Sequence, residues 1–168
     1  IGIATVITGD DVRLTNSSWR FSIAAFQTAM GLERCLVVND FTALAMSLPA
    51  LKPTDLRALG GGTAVAGSTI GLLGPGTGLG VSGLVPDANG RYSALAGEGG
   101  HVTLSANDDI ESTLLGLLRK QFEHVSAERV LSGSGLVNIY QAICAMQGIP
   151  ARALEPADVT DAAVAGSD

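Results

Sequence analysis

Three short segments of this chain carry residue types and spacings that could do chemistry. Gly74-Pro75-Gly76-Thr77-Gly78-Leu79-Gly80 is a tight loop between two apolar stretches. Without Cβ atoms its backbone N–H groups can converge on an anion, and Thr77 adds a hydroxyl, which suits a nucleotide phosphate; the same residues also suit a plain β-hairpin. No lysine follows, so this is not a Walker A loop. Gly78-x-Gly80-x-x-Gly83 matches the dinucleotide-binding spacing, with Glu98 at the customary distance. Leu84-Val85-Pro86 comes next, however, and cannot open the helix such a site needs, so that match is accidental.

Val37-Val38-Asn39-Asp40-Phe41-Thr42 runs from an apolar strand through a polar pair into a helix. Asn39 and Asp40 therefore sit at a strand's carboxyl end, where open α/β sheets hold ligands, and the helix dipole there favours a carboxylate's charge. Capping the helix is the alternative job for Asp40. In Gly97-Glu98-Gly99-Gly100-His101 the glycines put an acid and an imidazole on a loop that can approach a small ligand, and sugar hydroxyls need such paired acceptors and donors. A structural role for His101 is the alternative. Glu128 lies in what reads as a helix's first turn, a favourable place for an acid with or without a ligand. His101 and His124 lack companions at metal-ligand spacing, so no metal site is expected.

Positioning these residues requires an α/β framework. Residues 1–7 and 12–14 read as a hairpin around Gly9-Asp10-Asp11. Ser22 then caps a helix that ends at Gly31, and 35–38 is a short buried strand. A helix runs over 41–48 and closes at Pro49; 51–62, with two prolines and a glycine triplet, is the best domain boundary. Residues 69–73 and 79–85 look like paired strands, with 86–90 turning into 91–96. The 3.6-residue period marks helices over 108–122 and 135–146.

Composition excludes several classes. With 46% apolar and 15% charged residues the 168-residue chain is no disordered tail, and no apolar run reaches the roughly 18 residues of a membrane span. A net charge of −6 with no basic cluster argues against nucleic acid. Cys35 and Cys144 lie far apart in apolar runs and read as small buried hydrophobes, and with no leader visible the cytoplasm is the expected compartment.

Read in order, Thr15-Asn16-Ser17-Ser18-Trp19, Val38-Asn39-Asp40-Phe41-Thr42-Ala43, Gly74 to Gly80, Gly97 to His101, and Ser126-Ala127-Glu128-Arg129-Val130-Leu131-Ser132-Gly133 resemble the bacterial ATP-dependent glucokinases across the whole chain. The resemblance implies an actin-like ATPase fold of two α/β lobes with a cleft between them, residues 1–50 ending the small lobe and 51–168 beginning the large one. It implies phosphorylation of glucose at the 6-hydroxyl, with ATP and Mg²⁺ as cofactors and a homodimeric parent. Asp40 would be the general base, and Asn39, Glu98, His101 and Glu128 would hold sugar hydroxyls. Gly76, Thr77 and Gly78 would bind phosphate. Zinc-containing sugar-kinase relatives carry a cysteine cluster after the Glu-x-Gly-His segment, where this chain has Val102-Thr103-Leu104, so the non-zinc group is the better match.

Two rival classes use the same residues. A non-catalytic sugar-binding or regulatory module would keep Glu98, His101 and Glu128 without transferring phosphate. A carboxylate-pair glycoside hydrolase would use Asp40 and Glu98, but leaves the Gly74 to Gly80 loop without a purpose. The family's Asp-x-Gly-Gly-Thr segment and its Gly-Gly adenosine segment do not occur in these residues. The isolated 168-residue chain is therefore expected to lack kinase activity; glucose- and ATP-dependent turnover in a coupled assay of the purified chain would contradict this.

Overall fold

The computed structural model describes residues 1–14 and 17–166; Thr15 and Asn16 of the Thr15 to Trp19 segment, and Ser167 and Asp168, lie outside the described residues. The chain folds as two compact units that interleave along the sequence. The first comprises Ile1–Leu72 and Ser82–Gly97, the second Leu73–Val81 and Glu98–Asp168.

In the first unit, β1 (Gly2–Ile3) pairs in parallel with β4 (Val38–Asn39), while β2 (Asp11–Arg13) pairs antiparallel with β3 (Arg20–Ser22). The hairpin expected between residues 1–7 and 12–14 is therefore not formed. Its supposed turn residue, Asp10, is committed elsewhere: its carboxylate accepts the Ser22 hydroxyl and the Ala24 N–H, fixing the β2–β3 register instead. Ser22 also caps α1 (Ile23–Ala29) by accepting the Ala25 N–H at 3.0 Å, and Gly31 leaves the helix at φ 61°, as its glycine suggested. The strand expected over 35–38 is only Val38–Asn39. Val37 is buried there but Leu36 is half exposed, so the apolar run does not mark a fully buried strand.

α2 (Asp40–Ser47) follows directly and packs on β1 and β4, with Thr42 and Ala45 buried; it ends in a short 3₁₀ turn at Pro49. Residues 51–62, expected as a boundary, are exposed throughout and hold only a 3₁₀ turn at Pro53–Asp55. A three-stranded sheet is ordered β5 (Ile70–Pro75), β6 (Leu79–Pro86), β7 (Tyr92–Leu95). Gly83 lets β5 and β6 close up, since a Cβ there would stand 2.9 Å from the Ile70 carbonyl. β6 and β7 pair antiparallel from Gly83 with Leu95 to Pro86 with Tyr92. Asp87 ties the connecting turn, accepting the Arg91 and Asn89 N–H groups and the Arg91 guanidinium. These bonds, led by the one from the Arg91 backbone, hold its carboxyl below the usual range.

The second unit is mainly helical: α3 (Asp109–Leu118), α4 (Gly133–Gln147) and α5 (Pro156–Ala165), with α4 packed against both others. Leu115, Leu118, Val125 and Ala142 form its core, flanked by Leu104, Leu114, Phe122 and Val130. Asp108 caps α3 and Ser132 caps α4, each accepting an N–H three residues on. Of the two cysteines, Cys144 is buried and Cys35 half-buried, and both are free thiols. Among the described residues no helix is long and apolar enough to cross a membrane.

Asp10 gives the fold a pH signature. Its hydrogen bonds, the Ser22 hydroxyl first, lower its pKa, so its contribution is fully present above the ordinary carboxylate value and is lost as pH falls through the lowered one. Urea unfolding followed by Trp19, which packs on Phe21 at 5.2 Å, should show Asp10→Asn less stable than the parent sequence at pH 7, with the gap narrowing towards pH 3.

Candidate functional site

The residues singled out by sequence fall into both units, and each is placed by local structure. In the first unit, Asn39 rather than Asp40 is the N-cap of α2. Its Oδ1 accepts the Phe41 and Thr42 N–H groups at 2.9 and 3.2 Å, and its Nδ2 donates to the Thr5 carbonyl at 3.3 Å. One amide hydrogen is left for a ligand. Asp40 occupies the helix's first position, exposed, and among the described residues its side chain accepts one hydrogen bond, from the N–H of Phe41. The capping alternative for Asp40 is thus filled by its neighbour, leaving the Asp40 carboxylate in solvent at a helix N-terminus.

In the second unit the structure gathers the other candidates on three touching segments. The tip of the β5–β6 connection is a closed turn, in which the Gly76 N–H donates to the Gly78 carbonyl at 2.8 Å. Thr77 is exposed and makes no hydrogen bond among the described residues, and nothing lies within 4 Å of where a Gly76 Cβ would be. The loop is a hairpin turn that also leaves an N–H and a hydroxyl free, as an anion site needs.

Glu98 precedes a 3₁₀ turn, Gly99–His101, whose glycines pack on the start of β6. A Cβ on Gly100 would overlap the Leu79 carbonyl, and one on Gly99 would meet the Val81 side chain at 2.8 Å. Glu98 Oε2 and His101 Nε2 are 3.8 Å apart, both side chains 61% exposed, so the pair is loose and open to a ligand. Glu128 lies in another 3₁₀ turn, Ala127–Arg129, not in the first turn of a long helix as its sequence suggested. A short ladder sets the two turns side by side: Leu104 N–H to Val125 carbonyl, Ala127 N–H to Val102 carbonyl, and a bridge between Thr103 and Ser126. Glu128 Oε2 accepts the Leu79 N–H at 2.9 Å.

Sequence reading missed three positioning residues. Ser132, almost fully buried, donates its hydroxyl to the Glu128 carbonyl at 2.7 Å while capping α4. Gly133 donates its N–H to the Gly76 carbonyl at 2.8 Å. Gly135 allows α4 to start against Val130, whose backbone would lie about 2.5 Å from an added Cβ. The Ser-x-x-Gly spacing signals only a cap; the contacts are tertiary. Among the described residues no group of three His, Cys, Asp or Glu side chains could hold a metal ion.

A turn with a free hydroxyl, an open carboxylate–imidazole pair and a second carboxylate thus meet in the second unit. The glucokinase family model matches residues 1–168. The glucokinase of Paramagnetospirillum magneticum is 56% identical over 165 residues, covering 98% of this chain and 51% of its own length. That of Nitrobacter hamburgensis is 50% identical over 168 residues, covering all of this chain and 52% of its own. The crystal structure of a glucokinase from an Antarctic psychrotroph superposes with a TM-score of 0.88 at 38% identity, covering 98% of this chain and 51% of that one. The chain thus spans about half the length of the curated relatives it matches. Its α/β fold is the actin-like ATPase fold of the solved glucokinases.

The glycine packing makes a testable contrast. Gly100→Ala should destabilise the second unit by about 1–3 kcal/mol, the usual range for overpacking, whereas Gly76→Ala, with open space around it, should be close to neutral. Urea denaturation of the two variants side by side checks both.

Proposed function

Because the chain belongs to the glucokinase family, we propose that the whole protein transfers the γ-phosphoryl group of ATP to the 6-hydroxyl of glucose, releasing ADP and glucose 6-phosphate, the entry to glycolysis. The observation that carries this reading is the gathering of Gly76–Gly78, Glu98 with His101, and Glu128 on three contacting segments of one unit. The lobe boundary near Leu51, the cytoplasmic compartment and a homodimeric parent belong to the same proposal and rest on the resemblance.

Asp40 accepts the proton of the 6-hydroxyl as its oxygen attacks the γ-phosphorus and the bond to the ADP oxygen breaks. A weakly basic carboxylate suffices, because in a loose transition state the alcohol proton leaves late and catalysis is mostly positioning and charge neutralisation. Asn39 supports the base by capping α2, and its remaining amide hydrogen donates to a sugar oxygen. Glu98, His101 and Glu128 take the other ring hydroxyls and the anomeric one. An epimer with one hydroxyl inverted would leave the group facing that position unpaired, which is how fixed polar groups select a sugar. Thr77 and the Gly76–Gly78 backbone hold phosphate oxygens. Mg²⁺, when bound with ATP, supplies neutralisation of the phosphate charge.

In the full-length protein Asp40→Ala should lower kcat by at least about a hundredfold, the weight of a general base, while the glucose dissociation constant changes only a few-fold. Isothermal titration with glucose beside a coupled glucose 6-phosphate assay measures both. Retained turnover would remove Asp40 from the base role, and lost glucose binding would make it a sugar ligand instead.

A further inference from the structure

Glu128 makes a contact that holding a sugar does not require. Its Oε2 takes the N–H of Leu79, the residue that leaves the Gly76–Gly78 turn. A Cβ on Gly78 would stand 2.5 Å from the same Oε2, and nothing else lies near it. Gly78 is not among the glycines with positive φ, so backbone conformation does not demand a glycine there. The space is needed by the carboxylate. Five residues beyond Glu128, the Gly133 N–H holds the Gly76 carbonyl, and between them Ser132 fixes the Glu128 backbone through its carbonyl. One segment, 128–133, thus grips the turn at both feet.

We propose that Glu128 is a positioning residue for the Gly76–Gly78 phosphate turn as well as a sugar ligand, and so couples nucleotide binding to sugar binding; the inference rests on the sugar-kinase reading above. A carboxylate accepts hydrogen bonds on both oxygens. Oε2 is engaged by Leu79, and Oε1, which has no protein partner among the described residues, faces the remaining acceptor work. A sugar hydroxyl on Oε1 fixes the side chain in the orientation that holds the Leu79 N–H. An ordered turn fixes the carboxylate for the sugar. Such coupling is reciprocal by thermodynamic linkage. A carboxylate that only bound sugar would leave the nucleotide side indifferent to its loss.

The test uses the full-length protein with Glu128→Ala, Glu128→Gln, Gly78→Ala and the Gly78→Ala, Glu128→Ala double variant. Amide hydrogen exchange at Leu79 is read without substrates, and KM is read separately for ATP and glucose. Leu79 exchange should rise about tenfold or more in Glu128→Ala and in Gly78→Ala, the weight of one charge-assisted hydrogen bond. KM for ATP should rise several-fold in Glu128→Ala and largely recover in Glu128→Gln, whose amide carbonyl still accepts from Leu79. Gly78→Ala should raise KM for glucose although it lies in the phosphate turn, and the double variant should be little worse than Glu128→Ala, since both changes remove one contact. Unchanged Leu79 exchange, an unmoved KM for ATP in Glu128→Ala, or additive effects would each overturn the proposal. Loss of protection at Leu118 in the helical core identifies a variant that has unfolded, and Glu128→Gln then carries the decision. A wild-type protein that phosphorylates no glucose sinks the kinase reading, and Leu79 exchange still decides the contact.

Discussion

Leu79 is engaged on both sides of its backbone, and the second unit's chemistry depends on that. Its N–H is held by a carboxylate 49 residues away, and its carbonyl lies where only a residue without a Cβ, Gly100, can approach. The residue itself is buried, at 7% exposed. Three segments that the sequence keeps well apart are thereby referenced to a single residue. If Leu79 shifted, the Gly76–Gly78 turn, the Glu98 to His101 loop and the Glu128 turn would lose their common reference together.

A division of labour between adjacent residues recurs. Asn39 does the capping and Asp40 is left open; Ser132 does the capping and, through its hydroxyl, also secures Glu128. At these two helices polar residues with short side chains absorb orphan N–H groups, which leaves the neighbouring acids, Asp40 and Glu128, uncommitted to capping.

Much of this could be read from the sequence, and what could not has a physical reason. Ser22 and Gly31 delimit α1, and the 3.6-residue period over 108–122 and 135–146 announces α3 and α4, because caps and periodicity are local signals; which residues end up most buried, Leu115, Leu118, Ala142 and Cys144 rather than Ile110 or Ile143, is set by tertiary packing. β1 and β4 are two residues each and pair in parallel across more than thirty positions, so no local pattern announces them. α5 did announce itself, through Glu155, Pro156 and Asp158 at cap, first and third positions, and was overlooked because its apolar face is thin. At the site, residue types were legible in Asp40, Glu98, His101 and Glu128. The Leu79 contact was not, since a backbone N–H looks the same in every sequence. Asn39 as cap could have been found: it stands one position before Asp40 and leads the list of capping residues equally.

The interleaving of the two units bears on how the chain is made. The path leaves the first unit after Leu72, returns at Ser82 and leaves again after Gly97. During synthesis the first unit therefore waits for β7, on the order of one to five seconds after Leu72 has been added at ordinary elongation rates. Through that interval α2 has β1 and β4 beside it but lacks β7, and the side that β7 will cover stays available to chaperones. The Gly-rich turn at residues 76–78 is laid down inside this wait, and its partner Glu128 comes later still. Within these residues the order of translation thus completes the second unit after the first.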